Sequence, residues 1–118
     1  MENKDYTSLP ADGGSIKISE EVIATIALEA LSHTEGVVLP AASGNKQHAK
    51  QKTIRVKVED GNVTISAAIF AAYGTSVLDA AKRAQSEVTE AVGAMTGLTV
   101  SAVNVTVIGI AFRKAEKQ

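Results

Sequence analysis

Residues 63–110 constrain the fold more than any other stretch of the chain. An alternating apolar run from Val63 to Tyr73 predicts a strand. Gly74 ends it, and apolar residues then recur at helical spacing from Ser76 to Met95. Gly97 follows as a C-cap, and a second strand runs from Leu98 to Ile110. Strand, helix and strand joined this closely form a βαβ unit, whose two strands lie side by side and parallel. In the first strand Val63, Ile65, Ala67, Ile69 and Ala71 share one face, and Thr64, Ser66, Ala68, Phe70 and Ala72 the other. In the second, Val103, Val105 and Val107 oppose Asn104, Thr106, Ile108, Ile110 and Phe112.

Upstream, Ser15–Ile18 alternates as a short strand, and Ser19 is placed as a helix N-cap with Glu20 and Glu21 in the first turn. The helix runs to about His33 on a stripe of Val22, Ile23, Ile26, Ala27, Ala30 and Leu31, and Gly36 is placed to end it. Val37–Leu39 reads as a brief strand and residues 40–51 as a loop. Ile54, Val56 and Val58 alternate with Arg55 and Lys57, and Asp60-Gly61 is a two-residue hairpin signal leading into Val63. The stripe of the second helix is Val77, Leu78, Ala81, Ala84, Val88, Ala91, Val92 and Met95.

The element order is therefore β-α-β-β-α-β. It predicts an α+β two-layer sandwich with two helices on one face of a four-stranded mixed sheet, and a ferredoxin-like arrangement fits that order. The domain is expected over 15–112, between a flexible N-terminal tail at 1–14 and a charged C-terminal tail at 113–118. At 118 residues one domain is the prior. Aromatics make up only 3% of the chain, so the core must be aliphatic.

Chemistry-bearing motifs are sparse. There is no cysteine, which excludes disulfides, thiolate metal sites and cysteine nucleophiles. His33 suits a helix C-terminus and His48 lies in the loop. The serines at 19, 76 and 86 have cap or helix-surface roles, and no Gly-x-Ser-x-Gly elbow occurs. Glu20-Glu21 and Glu59-Asp60 are explained by a helix start and a turn. Tyr73-Gly74-Thr75-Ser76 leads from a strand into a helix, but it lacks the phosphate-binding Gly-x-x-x-x-Gly-Lys spacing. No catalytic, cofactor or metal site is expected.

Two surfaces remain. Net charge is −1, yet residues 36–58 carry Lys46, Lys50, Lys52, Arg55 and Lys57 with no acid among them, a candidate anion contact. A nucleic-acid-binding module is the alternative function this segment supports, though no aromatics interleave it for base stacking. The second surface is an apolar corner. If the long strands are parallel, Thr64 and Ser66 lie level with Asn104 and Thr106. Ala68, Phe70 and Ala72 then lie level with Ile108, Ile110 and Phe112. Phe70, Ala72, Ile108, Ile110 and Phe112 are the candidate partner-binding residues, for a second copy or another protein.

Several segments in order resemble the alkaline shock protein family of Gram-positive bacteria, from about Gly14 to Ile110. They are Gly14-Ser-Ile-Lys-Ile-Ser-Glu-Glu-Val-Ile, Glu35-Gly36-Val37, Tyr73-Gly74, Gln85 with Val88, and Met95-Thr96-Gly97-Leu98. Val103-Asn104-Val105 and Val107-Ile108-Gly109 complete the set. The resemblance implies a non-enzymatic cytoplasmic protein linked to the envelope stress response. It also implies self-association and, in some members, attachment to the membrane through a separate membrane-embedded partner. It carries over no catalytic residue. The N-terminus lacks a basic and apolar leader, and no apolar run approaches the ~18 residues of a spanning helix, which also predicts a cytoplasmic location.

Overall fold

A computed structural model describes residues 6–11, 13–40 and 53–112. In chain order the elements are β1 (Tyr6–Ala11), β2 (Gly14–Ser19), α1 (Glu20–Ser32), β3 (Val37–Val38) and β4 (Ile54–Glu59). They continue with β5 (Asn62–Ala72), α2 (Val77–Thr96) and β6 (Thr99–Ala111). The fold is α+β, with both helices packed on one face of a four-stranded mixed sheet.

β5 organises that sheet. β4 pairs with its first half and β3 with Phe70 and Ala71, both antiparallel, while β6 runs parallel along its other side. The hairpin between β4 and β5 forms at Asp60-Gly61, where both residues have positive φ (52° and 80°). Paired positive φ values give a turn whose twist matches the strands it joins. α2 is the crossover that makes β5 and β6 parallel. Ser76 caps its start by accepting from the Asp79 backbone N–H at 3.2 Å, and Gly97 ends it at φ 76°.

The order is ββαβββαβ rather than β-α-β-β-α-β, and the ferredoxin-like arrangement is not formed. That arrangement needs the first strand inside the main sheet, whereas β2 pairs with β1 in a separate two-stranded sheet. The flexible tail expected over 1–14 is instead partly a strand. Two short runs flank Gly13 and Gly14, both at positive φ, and close into a hairpin with Leu9 opposite Ile16. Pro10 is tolerated because β1 is an edge strand, where a missing N–H costs no ladder bond. Leu9 and Ile18 pack against the core, which supports a hairpin that would be marginal by itself.

The core is aliphatic. Ile23, Ala27 and Leu31 from α1 and Ala84, Val88 and Val92 from α2 meet Val63, Ile65 and Ile69 from β5, all fully buried. Each large side chain contributes about 1.5–3 kcal/mol. On α2 the buried row is Ala80, Ala84, Val88, Val92 and Thr96, so the expected stripe is corrected: Val77, Leu78 and Met95 are exposed. A spacing of four turns the row by about 40° per step, because a helix turns about 100° per residue. Over the length of α2 the row therefore drifts away from residues at both ends that lie on the mean stripe.

Chain direction fixes two ends. Ala72, Ala111, the start of α2 and β3 lie at the upper end, and Asn62, Thr99, the Asp60-Gly61 turn and the end of α2 lie at the lower end. α1 leads into β3 through Gly36, so its C-terminus is also upper. Gly36 has φ 87°, and a Cβ there would lie 2.8 Å from Thr75 Cγ2 and 3.4 Å from Ala80 Cβ. Gly36→Ala therefore combines a left-handed backbone with a clash between the α1–β3 turn and Thr75, just before α2. It should lower the unfolding free energy by about 1–3 kcal/mol in urea titration at unchanged m-value. An unchanged midpoint contradicts this packing.

Candidate protein-docking surface

The open face of the sheet is built in two halves. Arg55 and Lys57 on β4 pair with Ser66 and Thr64 on β5, and Ser66 pairs onward with Asn104 on β6. Ala68 pairs with Thr106. The lower half is therefore polar and cationic, and Arg55 and Lys57 are exposed on it. Of the other basic candidates, Lys46, Lys50 and Lys52 lie outside the described residues.

The upper half departs from the expected register. β5 and β6 are parallel, but the polar rows are offset by one pair: Ser66, not Thr64, faces Asn104. β6 also carries an extra residue. Ile69 pairs with Val107, but Phe70 pairs with Gly109, so Ile108 bulges out of the ladder. A bulge puts two residues against one and reverses the side-chain alternation beyond it. Ile110 consequently falls opposite helix-facing Ala71, and Ala111 opposite Ala72. The expected single row of Ala68, Phe70 and Ala72 against Ile108, Ile110 and Phe112 is therefore split.

Phe70 and Ile108 stay on the open face. Phe70 is half-buried and its ring fills the notch left by Gly109: a Cβ at 109 would lie 2.9 Å from Phe70 Cε2. Ile108 is 53% exposed. Ala72 is buried and offers little to a partner. Ile110 and Phe112 reach the upper end, where the residue not foreseen in the sequence is Tyr73. Its ring centroid lies 5.1 Å from that of Phe112, and the Tyr73 backbone N–H donates to the Ala111 carbonyl at 2.7 Å. Tyr73 is 70% and Phe112 77% exposed. Leu78, at the start of α2, is exposed at the same end. The arrangement is an apolar corner built from the ends of β5 and β6 and the first turn of α2.

Two tethers hold the strand that carries this corner. The Gln85 side-chain amide donates to the Val103 carbonyl at 3.0 Å, tying α2 to β6. Val103, Val105 and Val107 pack on the core from the helix-facing side. His33 ends α1 and contacts Glu29 at 3.1 Å on an exposed face, which is a helix-surface pairing one turn apart. Among the described residues, no three or more His, Asp or Glu side chains converge as metal ligands do.

The sequence profile of the alkaline shock protein family, described as having a cell envelope-related function, matches residues 8–112. That span covers the main sheet, both helices and most of the β1–β2 hairpin. The chain belongs to the alkaline shock protein family. The resemblance carried by its sequence segments is thereby established. A relative in Bacillus subtilis (strain 168), the uncharacterized protein YqhY, is 27% identical over 108 residues, 84% of this chain and 78% of YqhY. No solved structure matches. Membership of the alkaline shock protein family gives an envelope-related function, and no helix among the described residues is long and apolar enough to cross a membrane. Two residues that carry the resemblance, Gln85 and Gly109, hold structural posts in this alkaline shock protein fold: one tethers β6 and the other seats Phe70.

Gly109→Ala should force the Phe70 ring out of its notch. The ring can swing toward solvent, so the expected loss is about 1 kcal/mol. Urea unfolding and the Phe70 ring resonances check this together. An unchanged midpoint with unshifted resonances contradicts the close approach.

Proposed function

We propose that this member of the alkaline shock protein family is a non-enzymatic interaction module. It self-associates and docks to protein partners through the upper apolar corner. A membrane-embedded partner would hold it at the inner face of the cell membrane, as part of an envelope stress response. The observation that carries this reading is the exposed Tyr73–Phe112 pair at the end of the sheet where Ile108, Ile110 and Leu78 are also exposed. Aromatic side chains each bury about 150–250 Å² when covered, and they dominate the energetics of protein interfaces. Large side chains left in water at the meeting point of three elements are better explained by a partner than by the needs of a monomer core.

A polyanion on the Arg55–Lys57 face is the weaker reading. The two cations flank Thr64 and Ser66, with no aromatic between them on which a base could stack.

The test is solution mass by light scattering across micromolar concentrations, for wild type and Phe112→Asp. Phe112 lies mostly in water, so the variant should keep its circular dichroism and unfolding midpoint. Wild type is expected to run above monomer mass and the variant to fall toward it. A wild type that stays monomeric throughout, or a variant that associates equally well, contradicts the reading.

A further inference from the structure

The two outer edges of the main sheet are built differently. β6 forms the edge on one side of β5, and its register is broken twice, between Val100 and Ala102 and between Val107 and Gly109. Bulges of this kind twist an edge away from regular pairing. On the other side of β5, β4 forms the edge of the lower half, and its register from Ile54 to Glu59 is unbroken.

The direction of the β4 backbone groups follows from its turn. In a two-residue hairpin the flanking pair, here Glu59 and Asn62, exchanges both backbone hydrogen bonds. Direction alternates along a strand, so Lys57 and Arg55 also spend their N–H and C=O groups on β5. Val58, Val56 and Ile54 turn theirs outward. The other end of β5 fixes the same alternation. The Ala72 N–H donates to the Gly36 carbonyl at 2.9 Å, so Ala72 and every second residue back to Ser66 and Thr64 face the β3–β4 side. Among the described residues no strand pairs with the outer edge of β4.

Side chains sort along this edge in the same rhythm. Arg55, Lys57 and Glu59 are exposed on the open face. Arg55 and Lys57 lie across the ladder from uncharged Ser66 and Thr64, which leave both charges unneutralised within the sheet. Val56 and Val58 lie on the opposite face, where α1 packs against β4, and they stay only half-buried. The edge therefore combines outward backbone groups, an apolar rim beside α1 and two cations at alternate positions. Charge on an edge strand repels segments of like sign. Here it admits an acidic one.

From this edge we infer that β4 takes an added antiparallel strand, an extended segment of another protein that alternates apolar and acidic residues. Its apolar side chains lie beside Val56 and Val58, its acids oppose Arg55 and Lys57, and an uncharged residue meets Glu59. Main-chain hydrogen bonds supply affinity in such an addition, and alternate side chains supply specificity. Arg55 and Lys57 fall at the non-hydrogen-bonded positions of the new ladder, where opposed side chains come closest. This surface is separate from the upper corner and does not depend on self-association.

The probe is a synthetic peptide that alternates valine with glutamate and matches β4 in length. It is titrated into the isotopically labelled full chain and followed by amide resonances and hydrogen exchange. Binding should slow exchange at Val56 and Val58 and leave Arg55 and Lys57, already bonded to β5, unchanged. N-methylation of the peptide amides that face β4 should abolish binding, and lysine in place of glutamate should weaken it several-fold. Lys57→Glu, a change at an exposed position, should reverse that preference with an unchanged circular dichroism spectrum. Absence of binding by the valine–glutamate peptide overturns the inference. Binding without protection of Val56 and Val58 also overturns it, because the contact is then surface charge alone. Equal binding of the N-methylated or lysine peptide, or an unaltered preference in Lys57→Glu, overturns it as well.

Discussion

Parallel pairing of β5 and β6 is the constraint on which the rest of this fold depends. α2 leaves the upper end of β5 and returns the chain to the lower end of β6, so the two strands must run the same way. Hydrophobic burial then fixes which faces meet. Val63, Ile65 and Ile69 are fully buried against the helices, so a one-residue slip would carry this row to the open side at the cost of several buried side chains. The same pairing brings the C-terminal ends of both strands together. Tyr73 and Phe112 are 39 positions apart in the chain, and they stack only because their strands finish side by side.

The bulge at Ile108 is the local feature that gives the corner its form. Without it Ile110 would continue the open-face row. With it Ile110 crosses to the row of Ala71 and the apolar surface wraps around the upper edge of the sheet. Phe70 stays behind, seated against Gly109. The result is a surface with a half-buried base, Phe70, and exposed tips, Tyr73 and Phe112. Membership of the alkaline shock protein family gives the protein an envelope-related function.

Much of this architecture is legible in the residues. The βαβ unit, the Asp60-Gly61 hairpin, the Ser19 and Ser76 caps and the Gly97 terminus all carry local chemistry with one dominant solution. Other features need tertiary information. The β1–β2 hairpin is obscured because Pro10 suggests a tail, although Gly13-Gly14 between two short runs is itself a turn signal. The bulge is signalled by Gly109 inside a strand, since a glycine there often marks a bulge or a close approach. Its consequence for Ile110 cannot be read from alternation, which assumes an uninterrupted strand. On α2 the drift of the buried row away from Val77 and Met95 follows from packing against α1 and β6, which no stripe on one helix encodes. Tyr73 reads in sequence as the end of a strand, and its pairing with Phe112 depends on a register that the bulge sets.

Backbone nuclear Overhauser effects between β5 and β6 in solution test this register most directly. Parallel pairing with the bulge predicts contacts that link Ser66 with Asn104, Ile69 with Val107 and Phe70 with Gly109, with Ile108 skipped. An antiparallel pattern, or a continuous ladder that sets Phe70 opposite Ile108, would contradict it.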